Sequence, residues 1–258
     1  METAPPQTID AVLARLDALI GAARRAESRM GYFAALYRGV TARVKAGIEA
    51  GRFEDPARMA RLDVVFARRY LDAYDAYARA GRCSACWTVA FDAAATERPI
   101  VLQHLLAGMN AHIDLDLGIA AAEVAPGAAL PALEHDFNVI NQILVEMLDD
   151  VQDRIARVSP WMAVLDRLAG SRDEALARLG LRGTRRGAWL AARHLAMLAD
   201  PHARDRAIED LDRAVTLAGQ AILKPPGRIL RGALWLVRRA ERRQPSDVID
   251  ALLAASPA

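Results

Sequence analysis

Histidine, asparagine and aspartate crowd one stretch, QHLLAGMNAHIDLDLG at residues 103–118, whose other side chains are almost all apolar. It carries His104, Asn110, His112, Asp114 and Asp116. A segment this apolar is expected to be buried, and buried polar groups must find partners or serve a reaction. An imidazole beside a carboxylate is the pairing used for general acid–base chemistry. The same residue types also supply donors for Zn²⁺ or, with more oxygens, Mg²⁺. At ~100° per residue, His112 and Asp116 fall one helical turn apart on the core-facing edge, and Asn110 and Asp114 form a second i,i+4 pair. Ala107, Gly108 and Ala111 are small enough to admit a neighbouring helix.

The next helical segment, PALEHDFNVINQILVEMLDDVQDRIARV from residue 131, has an apolar stripe through Phe137, Ile140, Leu144, Met147, Leu148 and Val151. Asp136 and Asn141 flank that stripe. A short connection predicts antiparallel packing of the two helices. Their seam would gather Asn110, His112 and Asp116 with Asp136 and Asn141, as a hydrogen-bonded network or a divalent-ion site. His112, Asp116 and Asp136 are its metal-donor set. The same groups can equally satisfy one another and only fix packing register.

Asp149, Asp150 and Asp153 have the D-D-x-x-D spacing by which class I terpene and prenyl synthases hold magnesium against a diphosphate. The wheel puts these three opposite the apolar stripe, as a solvated face. The second motif of those enzymes, N-D-x-x-S-x-x-x-E, is missing. Arg182, Arg185, Arg186 and Arg193 cluster around Trp189. Arginine is a natural partner of phosphate, which makes Arg185 and Arg186 the candidate anion-holding pair, although surface arginine is the plainer reading. No P-loop, G-x-G-x-x-G, G-x-S-x-G or H-E-x-x-H is present, so no nucleotide cofactor is expected. Cys83 and Cys86 form a lone C-x-x-C and read as two ordinary semi-buried thiols.

The elements that must position these groups are helices. Hydrophobic residues make up 53% of the 258, charged residues 26%, and glycine and proline are few, a balance that favours helix. No useful run alternates with period two. The expectation is an all-α, single-domain bundle of roughly nine or ten helices over residues 1–258. Thr8 should cap the first helix and Asp55 and Pro56 should start another. Gly51 and Gly81 should end two, residues 100–123 should form one helix, and Ser159 and Pro160 should start a further one. Residues 226–243 read as a C-terminal basic amphipathic helix, with Leu230, Leu234 and Val237 docked on the core. Its basic face would support at most weak peripheral contact with an anionic membrane. A net charge of +2 argues against a nucleic-acid partner. No transmembrane run or signal-peptide pattern is evident, so a cytoplasmic location is expected.

HLLAGMNAHIDLDLGIAAA followed by HDFNVINQIL resembles the signature of an uncharacterised family of all-helical bacterial and fungal proteins of unknown function. The resemblance extends through LYRGVTARV, LDVVFARRYLDAY and RRGAWLAARHLA, over about residues 30–200. It draws attention to Asp63, Tyr70, His104, Asn110, His112, Asp116, Asp136, Asn141 and Trp189, but implies no activity. Three readings remain open. The first is a Mg²⁺-assisted lyase or cyclase acting on an isoprenoid diphosphate or similar apolar substrate, similar in architecture to class I terpene synthases. The second is a zinc-dependent phosphoester hydrolase using His104, His112, Asp116 and Asp136, similar to part of the ligand set of helical zinc phospholipases C and P1-like nucleases. The third is a helical binding or scaffold protein. An apolar pocket beside the Asn110–Asp116 face would favour the first reading. A closed His and carboxylate set would favour the second, and a self-satisfied seam with no cavity the third.

Overall fold

Thr8 has extended backbone and its hydroxyl accepts the Ala11 amide at 3.2 Å, which starts α1, Ile9–Arg25. Val12, Leu16, Leu19 and Ile20 follow at helical spacing and are buried. In this computed structural model the described residues are 5–80, 83–159, 173–241 and 244–254. Among them lie eleven α-helices, and no strand. The fold is an all-α bundle, as the composition and periodicity predict.

Helix α2 spans Met30–Glu49, and Gly51, at φ +68°, takes the left-handed turn that follows it. Asp55 receives the Arg58 amide at 2.9 Å and Pro56 opens α3, Pro56–Ala80. The proposed stop at Gly81 lies outside the described residues. So do most of the segment from Pro160 and the side chains of Asp149, Asp150, Asp153 and Arg182. Helix α4, Ala85–Ala94, has its first amides held from a distance: the Asp212 carboxylate accepts from Ala85 at 2.7 Å and Cys86 at 2.9 Å.

The expected helix over residues 100–123 is not one α-helix. It runs as α5, Val101–Met109, then a π-helical segment, Asn110–Leu117, then α6, Gly118–Val124. A π turn is wider than an α turn and occurs mostly as short insertions inside α-helices, frequently at functional sites. Together the three form a rod through the molecule, ringed by α2, α3, α4 and the later helices α8 and α9. Ala107, Ala111, Leu115 and Ile119 face one core cluster; Leu117, Ala120 and Ala121 face another. Small residues allow this close fit. A β-carbon at Gly118 would meet the Ala188 carbonyl oxygen at 2.9 Å.

Pro131 does not start the next helix. It sits inside a 3₁₀ turn, Gly127–Leu133, and α7 is Glu134–Val158. Nor does α7 lie along the rod as the short connection suggested. It packs chiefly on α2 and on the C-terminal helix, which leaves a cavity between it and the rod. Helices α8, Asp173–Met197, α9, Pro201–Leu223, and α10, Arg228–Ala240, follow. Among the described side chains of α10, only Val237 is buried and Leu234 is half-buried, while Leu230, Trp235 and Leu236 are exposed, so the expected docking of Leu230 fails. A last helix that the sequence reading missed, α11, Pro245–Leu253, buries Val248, Ile249 and Leu252 against α1, α2 and α7. Among the described residues, no helix is long and apolar enough to cross a membrane.

Candidate functional site

The π segment sets a histidine–carboxylate pair in the interior. His112 Nδ1 lies 3.2 Å from Asp116 Oδ2, and both residues are 2% exposed. Two neighbouring helices complete the seat of Asp116: Arg69 Nε of α3 donates to Oδ1 at 3.0 Å, and Trp87 Nε1 of α4 donates to Oδ2 at 2.8 Å. A carboxylate so placed accepts from Nδ1–H, which leaves Nε2 of His112 with the lone pair. Burial lowers the imidazole pKa against the raising effect of Asp116, so the neutral ring is favoured. Phe66 stacks on that ring at 3.6 Å, and Tyr37 meets it edge-on at 4.4 Å.

His112 forms part of the wall of a cavity of about 120 Å³ between α2, α3, the rod and α7. Most of the wall is apolar, including Phe33, Leu62, Phe66, Ile140 and Met147. Three polar groups interrupt it besides the Tyr37 hydroxyl, which sits beside Thr41. His112 Nε2 is buried without a hydrogen-bond partner. Asp63 is 7% exposed, its Oδ2 has no partner, and burial pushes its pKa up to about 7. Arg185 of α8 is 3% exposed, and its Nε has no partner.

The remaining sequence candidates are spread around the molecule. Tyr70 is buried behind His112, against Phe33 and Trp87, with its hydroxyl unpartnered. Asn110 donates to the Val215 carbonyl at 2.9 Å and ties the rod to α9. Asp114 is half-buried, and desolvation raises its pKa to about 6. Asp136 is fully buried. It accepts from the Glu54 amide at 2.7 Å, the Asp55 amide at 3.2 Å and Arg58 at 2.9 Å, and so holds the loop that precedes α3. Asn141 donates to Asn138 at 3.2 Å. Trp189 is half-buried, packed on Phe137, and Arg186 is exposed.

His104 faces a separate polar pocket with Arg29, Trp235, Arg238 and Glu241. Burial and then Arg29 lower its pKa to about 4, against the Pro99 carbonyl. The expected seam of Asn110, His112, Asp116, Asp136 and Asn141 is therefore not assembled, because α7 stands off from the rod. Among the described residues, no three His, Cys, Asp or Glu side chains are placed to share a metal ion. Cys83 and Cys86 are free thiols, Cys86 buried with its pKa raised by desolvation.

Arg69, Trp87 and Asp212 escaped the sequence reading because they act on partners at least 29 residues away in the chain. Neither a curated protein nor a solved structure matches the chain. Residues 9–225 match the model of a family of unknown function, DUF5995, and the chain belongs to that family.

Proposed function

We propose that this protein is a small-molecule enzyme of the lyase or cyclase class, in which Asp63 and His112 move protons on an apolar substrate held in the cavity. The observation that carries this reading is the pair of unpartnered buried polar groups, Asp63 Oδ2 and His112 Nε2, on the wall of one apolar cavity. Unpaired polar atoms weaken a fold, and their place beside a cavity gives them a substrate as partner.

The two groups have complementary roles. Asp63, raised to about 7, keeps its proton up to near neutrality and acts as the acid. His112 is the base at Nε2. Asp116, held by Arg69 and Trp87, positions the ring and stabilises the imidazolium once it forms. In the elementary step, the Asp63 O–H bond breaks and its proton is taken by the π pair of a substrate carbonyl or activated double bond, which opens as the new O–H or C–H bond forms. A substrate C–H bond breaks, its proton passes to Nε2, and its electron pair forms the new double bond. The rings of Phe33, Tyr37 and Phe66 favour positive charge that develops in the cavity. No step is routed through a metal, because the expected donors His112, Asp116 and Asp136 do not converge. A diphosphate is not favoured: among the described residues the cavity wall holds one arginine.

The test requires no knowledge of the natural substrate. Cyclohexanone incubated with the protein in D₂O should gain deuterium beside its carbonyl faster than in buffer. Asp63→Asn and His112→Gln should each reduce that gain at least tenfold. Binding of the ketone without added exchange, or exchange undiminished in both variants, would sink the reading.

A further inference from the structure

Arg185 presents a problem that the proton chemistry does not solve. Its side chain is buried, and its charge has no carboxylate partner among the described residues. One terminal nitrogen donates to the Phe137 carbonyl at 2.9 Å, and the guanidinium lies 4.4 Å above the Phe137 ring. Those contacts solvate part of the cation and hold it in place, but they bring no negative charge. The Nε–H is left without an acceptor. Burying an uncompensated charge is among the costlier things a fold can do. Desolvation lowers its pKa to about 9, so it remains charged at neutral pH. It stands in the wall of the same cavity as Asp63 and His112.

We infer that Arg185 anchors an anionic end of the substrate, and that the substrate is a small hydrophobic monocarboxylic acid. This inference rests on the proposed use of the cavity. Three features narrow the class. A guanidinium edge presents parallel N–H donors that match the two oxygens of a carboxylate. Among the described residues the wall holds one arginine, which balances a single negative charge, whereas a phosphate dianion or a diphosphate would bring charge that these residues do not meet. The cavity, about 120 Å³, is of the order that encloses a benzene-sized body. The apolar wall takes the body, Arg185 takes the carboxylate, and Asp63, protonated, tolerates an anion in the same space. Phe137 pre-orients the guanidinium, so little ordering is left to the moment of binding.

The probes are benzene, benzoate and benzamide, which share one ring and differ in the charge and polarity of the substituent. Binding is read by chemical-shift titration of the full chain at about pH 6, where Asp63 is mostly protonated and benzoate is ionised. Benzoate should bind at least tenfold more tightly than benzamide. Arg185→Met should abolish that preference while benzene still binds, which shows that the variant is folded and its cavity intact. Arg185→Lys should restore part of the preference, because charge returns without the fork. If benzene binds but wild type holds benzoate no more tightly than benzamide, the anchor is wrong while the cavity reading survives. If none of the three binds, the proposed use of the cavity fails first, and the anchor with it.

Discussion

Asp63 and Asp136 are both buried aspartates, and the fold treats them in opposite ways. Asp136 is sealed from solvent and receives two backbone amides and Arg58. Burial works against its charge, but those donors outweigh it and hold its pKa below the usual carboxylate value. Asp63 is nearly as buried and receives nothing at Oδ2, so its pKa rises. One carboxylate fastens a loop, whereas the other is kept short of partners at the edge of a cavity. Asp116 belongs with Asp136, since Arg69, Trp87 and His112 surround it. The contrast separates groups that hold the scaffold from groups that the scaffold holds ready. Burial alone does not make that distinction; the state of the hydrogen-bonding atoms does.

The most severe way to break the comparison is Asp136→Ala. It strips three donors of their acceptor and leaves Arg58, whose side chain is 14% exposed, with only the longer Asp55 contact at 3.7 Å, so a loss of ~3–5 kcal/mol is expected in urea unfolding. A small loss would mean that Asp136 is no better satisfied than Asp63.

Asp63→Asn should do the reverse. The native pKa of about 7 lies above the ordinary 3.8. The unfolded chain therefore gives up this proton first, and wild type loses stability from this group as pH climbs from about 4 to 7, levelling off beyond. Asparagine removes that loss. The variant should match wild type below pH 4 and exceed it at pH 8 by up to ~4 kcal/mol, the ceiling set by ~1.4 kcal/mol per pKa unit. Equal stability of the two proteins across that range would contradict the picture.

A milder change sharpens the comparison from the satisfied side. Trp87→Phe keeps most of the ring packing but removes one donor to Asp116, an expected loss of ~1.5–3 kcal/mol. It should also loosen the orientation of His112, seen as broadening of that imidazole's NMR signals. A sharp, unmoved His112 signal would show that Arg69 alone fixes Asp116.

Much of the fold could be read from local rules. Thr8, Gly51, Asp55 and Pro56 act where their backbone chemistry predicts, because caps and turns depend on a few neighbouring residues. The His112–Asp116 pair was legible for the same reason, being separated by four residues on one helix. Its other partners were not legible, since Arg69 and Trp87 reach Asp116 only through tertiary packing. The seam does not assemble because a short connection does not force α7 against the rod. The 3₁₀ turn through Pro131 and the docking of α7 on α2 and α11 instead open the cavity. The π segment left no mark in a hydrophobic pattern read at 3.6 residues per turn, as it is defined by backbone hydrogen bonds. Arg185 and Arg186 show the limit most plainly: adjacent and chemically identical, one is buried at the cavity and the other exposed.

The most direct test of the central claim, that Asp63 is held as an acid with Oδ2 unpartnered, is a ¹³C NMR titration of the aspartate carboxyl carbons in the ligand-free protein, assigned with Asp63→Asn. The account predicts one buried carboxyl, absent from the variant, that titrates near pH 7. A midpoint near 4 for Asp63 would mean that its charge is already compensated, and would contradict the account.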